Sequence, residues 1–283
     1  MLKLLTDRIN DEFNKQVSNI YDDKPGEISL EVKNSRVQIM LQDDEIKEMN
    51  GSLNLKTEAI YIDDPFIIDR GVQNTPIFMD MNRQPTEHRS NLRNKLFRRN
   101  NNSNVVDEII NTDKFKAIFE QVGLNQEKNI LSIGARRYDF TMVEEVGGEK
   151  SLKVENLSTG IKTFLILKTL IINQEIQQNG TIILDEPEIH LHPEWQLLFA
   201  ELLVLIQKEF NLHILINTHS PYFLRAIQVY SAKYGLADKC KYYLSYLDGE
   251  KAFIKDVSDN IEPLYKKLAD PFQKLDDARW DND

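Results

Sequence analysis

One cysteine in the whole chain, Cys240, excludes an intrachain disulfide framework and fits a reducing compartment. No apolar run is long enough to span a bilayer as a helix. The stretch from Met1 to Arg8 lacks the layout of a signal peptide. Together these absences make the cytoplasm the expected location and a membrane partner unexpected. Positive charge is also scarce: 35 Lys and Arg stand against 45 Asp and Glu, a net charge of −10. Such a chain is not a generic nucleic-acid binder, because backbone phosphates are repelled on average. One local basic cluster remains, Arg89, Arg93, Lys95, Arg98 and Arg99, followed by the polar run 100–104. It reads either as a solvated helix end or as a contact for nucleic acid or an acidic partner.

What is present is an ordinary globular composition, long enough at 283 residues for one large or two modest domains. Residues 1–20 carry Leu2, Leu5, Ile9, Phe13 and Val17 at helical spacing. Residues 27–41 alternate like two short strands around Lys33, Asn34 and Ser35. Ala59 to Ile62 reads as a further strand, and residues 66–125 as mixed and mainly helical. There Phe115, Ile118, Phe119 and Val122 form one apolar stripe. Segments 138–146 and 150–154 flank Gly147 and Gly148, a hairpin signal.

From residue 157 onward the pattern is cleaner. A helix over 159–178 follows Ser158, a strand over 181–185 follows Gly180, and a helix over 194–209 follows Pro193. A strand over 212–217 ends at Thr218, and Pro221 opens another helix. Strand, helix and strand in this order make parallel neighbours in an α/β sheet. The tail from Asp276 to Asp283 is acidic and expected to fray.

The chemistry lies at the ends of those strands. Residues 181–184 run straight into Asp185 and Glu186, so a buried parallel strand delivers two carboxylates to the sheet edge where α/β folds bind ligands. Asp185 suits a hard cation, directly or through water, and Glu186 can orient or deprotonate a water. The blander alternative is a pair of helix-capping carboxylates. His219 closes the next strand at the same edge, where it can donate to a phosphate oxygen or serve structure alone. Ser158, Thr159, Gly160 and Lys162 open a helix whose free N–H groups form an anion site, or an ordinary capped helix start.

Taken together, these residues resemble a known family. Residues 157–160 look like a variant of the ABC signature motif, residues 182–187 like a Walker B strand with its catalytic glutamate, and residues 218–221 like the switch-histidine loop. The run from Glu188 to Gln196 is similar to the D-loop region of soluble ABC-type AAA ATPases, the SMC-like and OLD-like proteins of DNA maintenance and phage defence. The match is strong over 150–235 and weak before it. The resemblance implies an ABC-type P-loop NTPase fold of α/β class, with a parallel core sheet and a mixed, helical insertion. It implies ATP and Mg²⁺ as cofactors, Asp185 on the metal, Glu186 positioning the attacking water and His219 near the γ-phosphate. Ser158, Thr159, Gly160 and Lys162 would bind nucleotide, with Ser158 and Gly160 reaching the γ-phosphate of the opposing subunit in a head-to-tail dimer. His192 falls where many of these proteins carry an aspartate.

The phosphate loop that such proteins need, Gly-x-x-x-x-Gly-Lys-[Ser/Thr], is missing from the sequence. Among eleven glycines the nearest imitation is Gly147 and Gly148, separated by Glu149 from Lys150 and Ser151. Micromolar nucleotide binding needs about 8 kcal/mol, and a hydrogen bond to a charged group contributes about 1.5–3 kcal/mol. Asp185, Glu186 and His219 reach only the metal and the terminal phosphate. The expectation is therefore an N-terminal strand and P-loop lost by truncation, a misplaced start or a split gene, with a P-loop-bearing partner chain in the last case. The chain divides into a remnant N-terminal lobe (1–65), a mixed helical insertion with a hairpin (66–150), a signature, Walker B and switch-histidine core (151–235), and C-terminal strands with an acidic tail (236–283).

Two other functions compete with an ATP-hydrolysing module. One is a degenerate ATPase acting as an interaction or scaffold protein. The other is a metal-dependent hydrolase built on His190 and His192, for which no third ligand is evident. No nuclease or Toprim-like constellation follows residue 235, so any effector activity is expected from a partner.

Overall fold

The computed structural model describes residues 12, 24–32, 35–52, 57–69, 88–97, 112–124, 130–133, 138–144, 148–249 and 251–280. The helix expected over 1–20 lies outside them apart from Glu12, as do Arg98 and Arg99. At the centre is a parallel sheet of three strands, β4 (Ala59–Ile62), β8 (Thr181–Asp185) and β9 (His213–Asn217), in the order β4-β8-β9. Ile62 pairs with Leu184 and Asp185 with Asn217, so all three strands finish at one edge. The expected strand at 181–185 is met residue for residue, and the one at 212–217 begins one residue later.

Helix α3 (Thr159–Ile172) is buried on nearly all sides: eleven of its fourteen residues are shielded from solvent. A helix apolar all round belongs inside a protein. Helix α4 (Pro193–Phe210) packs beside it, and α5 (Pro221–Lys233) packs against α4. Phe164 of α3 meets Phe199 of α4 edge-on at 5.1 Å and Trp195 at 6.0 Å, and Phe199 stacks on Phe223 of α5 at 6.2 Å. Such pairs add about 0.5–1.5 kcal/mol each beyond their buried area. Upstream, α1 (His88–Phe97) and α2 (Asp113–Gln121) deliver Leu92, Leu96, Phe115, Ile118 and Phe119 to the same core, with Val122 just beyond.

Helix α3 stops six residues short of the expected end at 178. Asn173 caps it and Gln174 takes a left-handed φ of +60°. The N–H of Glu175 then bonds Leu170 O at 3.0 Å and that of Gln174 bonds Ile171 O at 2.9 Å. This is a Schellman closure made without glycine, so no glycine marks it in the sequence. The Asn173 amide donates to the carbonyls of Lys95 and Leu96, satisfying the open end of α1.

Three antiparallel sheets surround this core. β1 (Gly26–Val32), β2 (Ser35–Gln42) and β3 (Glu45–Gly51) form one meander. The first two strands match expectation, whereas β3 was not foreseen. Asp43 and Asp44, both at positive φ, make the two-residue turn before it. β5 (Ile130–Ile133), β6 (Tyr138–Glu144) and β7 (Gly148–Lys153) form the second; β6 and β7 are the anticipated hairpin. β10 (Tyr243–Asp248) and β11 (Lys251–Asp256) form the third. Among the described residues, α6 (Glu262–Trp280) continues past Asp276, where fraying was expected. The Asn260 side chain caps the Glu262 N–H at 3.0 Å, and the Tyr265 hydroxyl bonds Gln228 of α5.

Lys168, in the middle of α3, is fully buried, with its nitrogen 5.8 Å from the Phe119 ring centre. Burial pulls its pKa from 10.5 down to about 8. Below pH 8 both folded and unfolded chains hold the proton, and the cost of the buried charge is constant. Between pH 8 and 10.5 only the unfolded chain holds it, so stability rises with pH across that window. Lys168→Met should therefore be more stable than the wild type near neutral pH, by about 1–3 kcal/mol. Urea melts from pH 7 to 10.5 should show that difference shrinking as pH rises; a constant difference would contradict the buried ammonium.

Candidate functional site

The site begins with Asp185, the last residue of the central strand. Its Oδ1 accepts from the Asn217 amide of β9 at 3.1 Å, and its Oδ2 from the Tyr61 hydroxyl of β4 at 3.4 Å. One carboxylate is thus oriented by both neighbouring strands. Burial and the charge of Asp185 raise the Tyr61 pKa, which keeps that phenol a donor. Glu186 leaves the β region, at φ +46°, and its N–H bonds Asn217 O at 2.9 Å. A left-handed non-glycine residue costs about 1–3 kcal/mol and gathers at functional sites. The Glu186 side chain meets His219, with Oε2 2.5 Å from Nδ1. The expected meeting of acid pair and imidazole at one sheet edge is therefore present.

A second tier lies beneath. Glu188 is buried and accepts a bond from the Thr218 hydroxyl, whose oxygen in turn accepts the Ser220 N–H at 3.1 Å. Ser220 caps α5 through the Phe223 N–H and donates to Gln196 of α4 at 2.6 Å. The loops after β8 and β9 are laced together by these bonds. A mainly apolar cavity of about 30 Å³ lies between Asp63, Asp185, Glu186 and His190 on one side and Ile166, Leu167, Leu184 and Phe199 on the other. That is room for about one water or one ion.

Carboxylates dominate this edge. Burial pushes the Asp63 carboxyl up, but hydrogen bonds from Arg89 and His88 outweigh it and hold it below the usual range. Arg89 lies 2.8 Å from Asp63, and at the opposite end of the sheet, before the strands begin, Lys95 lies 2.9 Å from Glu58 and 3.0 Å from Glu175. Two members of the basic cluster are thus matched to carboxylates of this chain, which favours its bland reading. The oxygen-rich donor set at the strand ends could take a hard divalent cation, with Asp185 as the residue that could hold it.

The helix start at 158–162 divides differently from expectation. Ser158 caps α3 through the Ile161 N–H at 3.4 Å, and Thr159 O accepts from the Thr163 hydroxyl. Gly160 is buried, and a Cβ there would fall 3.1 Å from the Trp195 ring. Its smallness thus serves packing against α4. Lys162 turns inward rather than toward a ligand: it is 2% exposed, with Nζ 2.7 Å from the Asp69 carboxylate and 3.4 Å from Glu155 O. His190 packs edge-on against Phe66 at 5.5 Å, and His192 caps α4 through the Glu194 N–H at 3.4 Å. The described residues thus give His192 a helix-capping role in place of a shared metal. Tyr61, Glu188, Asn217 and Thr218 carry roles that the sequence reading did not assign. Their positions beside strand ends were the available signal.

A parallel sheet whose strands end together at one polar edge places the chain among α/β domains. The chain belongs to the AAA ATPase domain family, whose pattern it matches over residues 5–224. It is similar to the Retron Vc95 probable ATPase of Vibrio cholerae serotype O1 biovar El Tor, at 28% identity over 134 residues. That stretch covers 44% of this chain and only 23% of the relative's own length. Among solved structures, the SMC head domain from Thermotoga maritima superposes with a TM-score of 0.42 at 14% identity, covering 82% of this chain and 73% of that one. The Smc head domain of Pyrococcus furiosus, bound to the C-terminal domain of ScpA, gives 0.35 at 16%, covering 61% and 38%. Superpositions this loose carry no functional argument. No helix among the described residues is long and apolar enough to cross a membrane.

The inward turn of Lys162 is open to a direct check. Removing one partner of a buried ion pair costs about 3–5 kcal/mol, whereas an apolar replacement of both costs far less. Asp69→Ala should lose about that much in denaturant melts, and Asp69→Leu with Lys162→Met should recover most of it. Equal losses in the single and double variants would show that the ammonium is not held by Asp69.

Proposed function

We propose that this chain carries the metal-binding and water-activating part of a Mg²⁺-dependent ATP-hydrolysing site of ABC type. The observation that carries the reading is the Glu186–His219 contact, one residue beyond an Asp185 oriented from both sides. Asp185 would hold the ion. Mg²⁺, when bound, supplies positive charge that offsets the phosphate oxygens. Glu186 accepts the proton of the attacking water, and His219 orients that carboxylate and donates toward the terminal phosphate. The left-handed backbone at Glu186 aims its side chain past the strand end. Ser158 and Thr159, at the open N-terminus of α3, would receive phosphate oxygens of an opposing copy in a head-to-tail dimer. That last assignment rests on the family resemblance.

The sequence contains no Gly-x-x-x-x-Gly-Lys-[Ser/Thr], so the cradle for the inner phosphates is assigned to a segment outside these residues, in the same polypeptide or in a partner chain. The missing loop also favours a second reading, an ATPase-derived interaction module without hydrolysis. A DNA-maintenance or phage-defence setting, with nucleic acid or an effector protein as partner, goes with the first reading, and the likeness to a retron ATPase supports it.

Purification of the tagged chain from its native host, with whatever assembles on it, tests both readings. The assembly should hydrolyse ATP with Mg²⁺, and Glu186→Gln should slow turnover by about 10²–10⁴-fold while leaving nucleotide binding in place. Turnover unchanged by Glu186→Gln would remove Glu186 from the reaction. An assembly that binds no nucleotide would leave the interaction module standing.

A further inference from the structure

Glu188 is 2% exposed, yet only one of its carboxylate oxygens is satisfied. Oε1 takes the Thr218 hydroxyl, while Oε2 is shut off from solvent and has no hydrogen-bond partner among the described residues. A buried carboxylate oxygen left so is costly unless something positive reaches it. No lysine or arginine among the described residues forms an ion pair with Glu188 or Glu186. One oxygen of Glu188, one of Glu186 and a ring nitrogen of His219 lie within 4.8 Å of one another.

We propose that Glu186, Glu188 and His219 form a binding site for a first-row divalent transition ion, with Zn²⁺ as its type, separate from the position held by Asp185. The donor set selects the ion. Two carboxylate oxygens alone would suit Mg²⁺ or Ca²⁺, but an imidazole nitrogen shifts preference toward Zn²⁺ and its neighbours. Zinc sits about 2.0–2.2 Å from such atoms, so its ligand atoms lie no more than about 4.4 Å apart. The present span closes to that by a movement of the outer two side chains toward Glu188 that also parts their own contact, too short now to admit an ion between them. They are free to make it: Glu186 is 39% exposed and His219 65%, while the buried Glu188 is the fixed anchor. Three protein ligands leave further coordination positions for water. An ion held there would engage the same Glu186 and His219 that the proposed reaction uses, and would oppose hydrolysis. That consequence rests on the proposed function; the binding does not.

The test is titration of the full chain, free of nucleotide, with ZnCl₂ followed by calorimetry and with CoCl₂ followed by visible absorption. One equivalent should bind, with a cobalt band reporting nitrogen ligation, and excess Mg²⁺ should not displace it. Glu188→Gln and His219→Asn should each weaken binding about tenfold or more, and the double variant His190→Ala with His192→Ala should leave it unchanged. His219→Asn alters an exposed side chain, so it reports on binding even where Glu188→Gln unfolds the chain. No stoichiometric binding by the wild type, undiminished binding by His219→Asn, or loss in the His190 and His192 variant would each overturn the site. A protein whose hydrolysis needs Glu186 but which binds no zinc would lose this proposal and keep the other. Zinc binding by a chain that never hydrolyses ATP would do the reverse.

Discussion

Everything at the site depends on the register between β8 and β9. Their parallel pairing sets Asp185 opposite Asn217, and that single alignment supplies both the amide that orients the carboxylate and the carbonyl that receives the Glu186 N–H. In a strand the side chains alternate between faces, so a slip of one residue would send Asp185 to the wrong side. The slip is resisted from one face, since the opposite one leaves Leu215 exposed. Ile182 and Leu184 are buried, and Ile214 and Ile216 pack on the same core. The fold therefore stabilises the site indirectly, by making the correct register the one that buries the most apolar surface.

Charge is distributed in two separate arrangements. At the sheet edge carboxylates accumulate with few cations to match them, which suits a place where a cation is to be bound. Within α3 two lysines, Lys162 and Lys168, are buried. Lys162 ties the helix to Asp69, just past the turn Pro65–Ile68 that follows β4. This ion pair fixes the helix start against the strand that also contributes Tyr61. The lysine that the sequence offers as an anion ligand instead holds the frame around the acidic edge.

Much of this was legible in the sequence, and the limits have physical causes. The β8, α4 and β9 segments and the start of α5 were legible to within a residue, from apolar periodicity and from the proline starts of the two helices. The early stop of α3 was hidden because Gln174 takes a conformation that glycine usually advertises. β3 was missed because its turn uses two aspartates and its residues are mostly polar. Asp185, Glu186 and His219 were legible as a group because they sit at strand ends. The inward direction of Lys162 and the contact between Gly160 and Trp195 were not, because they depend on which helix packs against which. Glu188 was in view but given no role, since nothing in its spacing shows that one of its oxygens is buried without a partner.

Adjacent strand residues cannot ordinarily serve one site, because alternation points them to opposite faces. Here both acids reach the same edge because the strand ends between them. Asp185 keeps extended pairing with Asn217, and Glu186 turns into the left-handed region at +46°. The turn is held by a backbone bond to Asn217 on one side and by the Glu188–Thr218 bond two residues on. Glycine would adopt this backbone without strain but would bring no carboxylate. Placing glutamate there accepts local strain in return for a side chain that alternation would have sent elsewhere. A strained residue persists only where its surroundings over-determine it, and the lacing of the two loops beneath Glu186 meets that requirement.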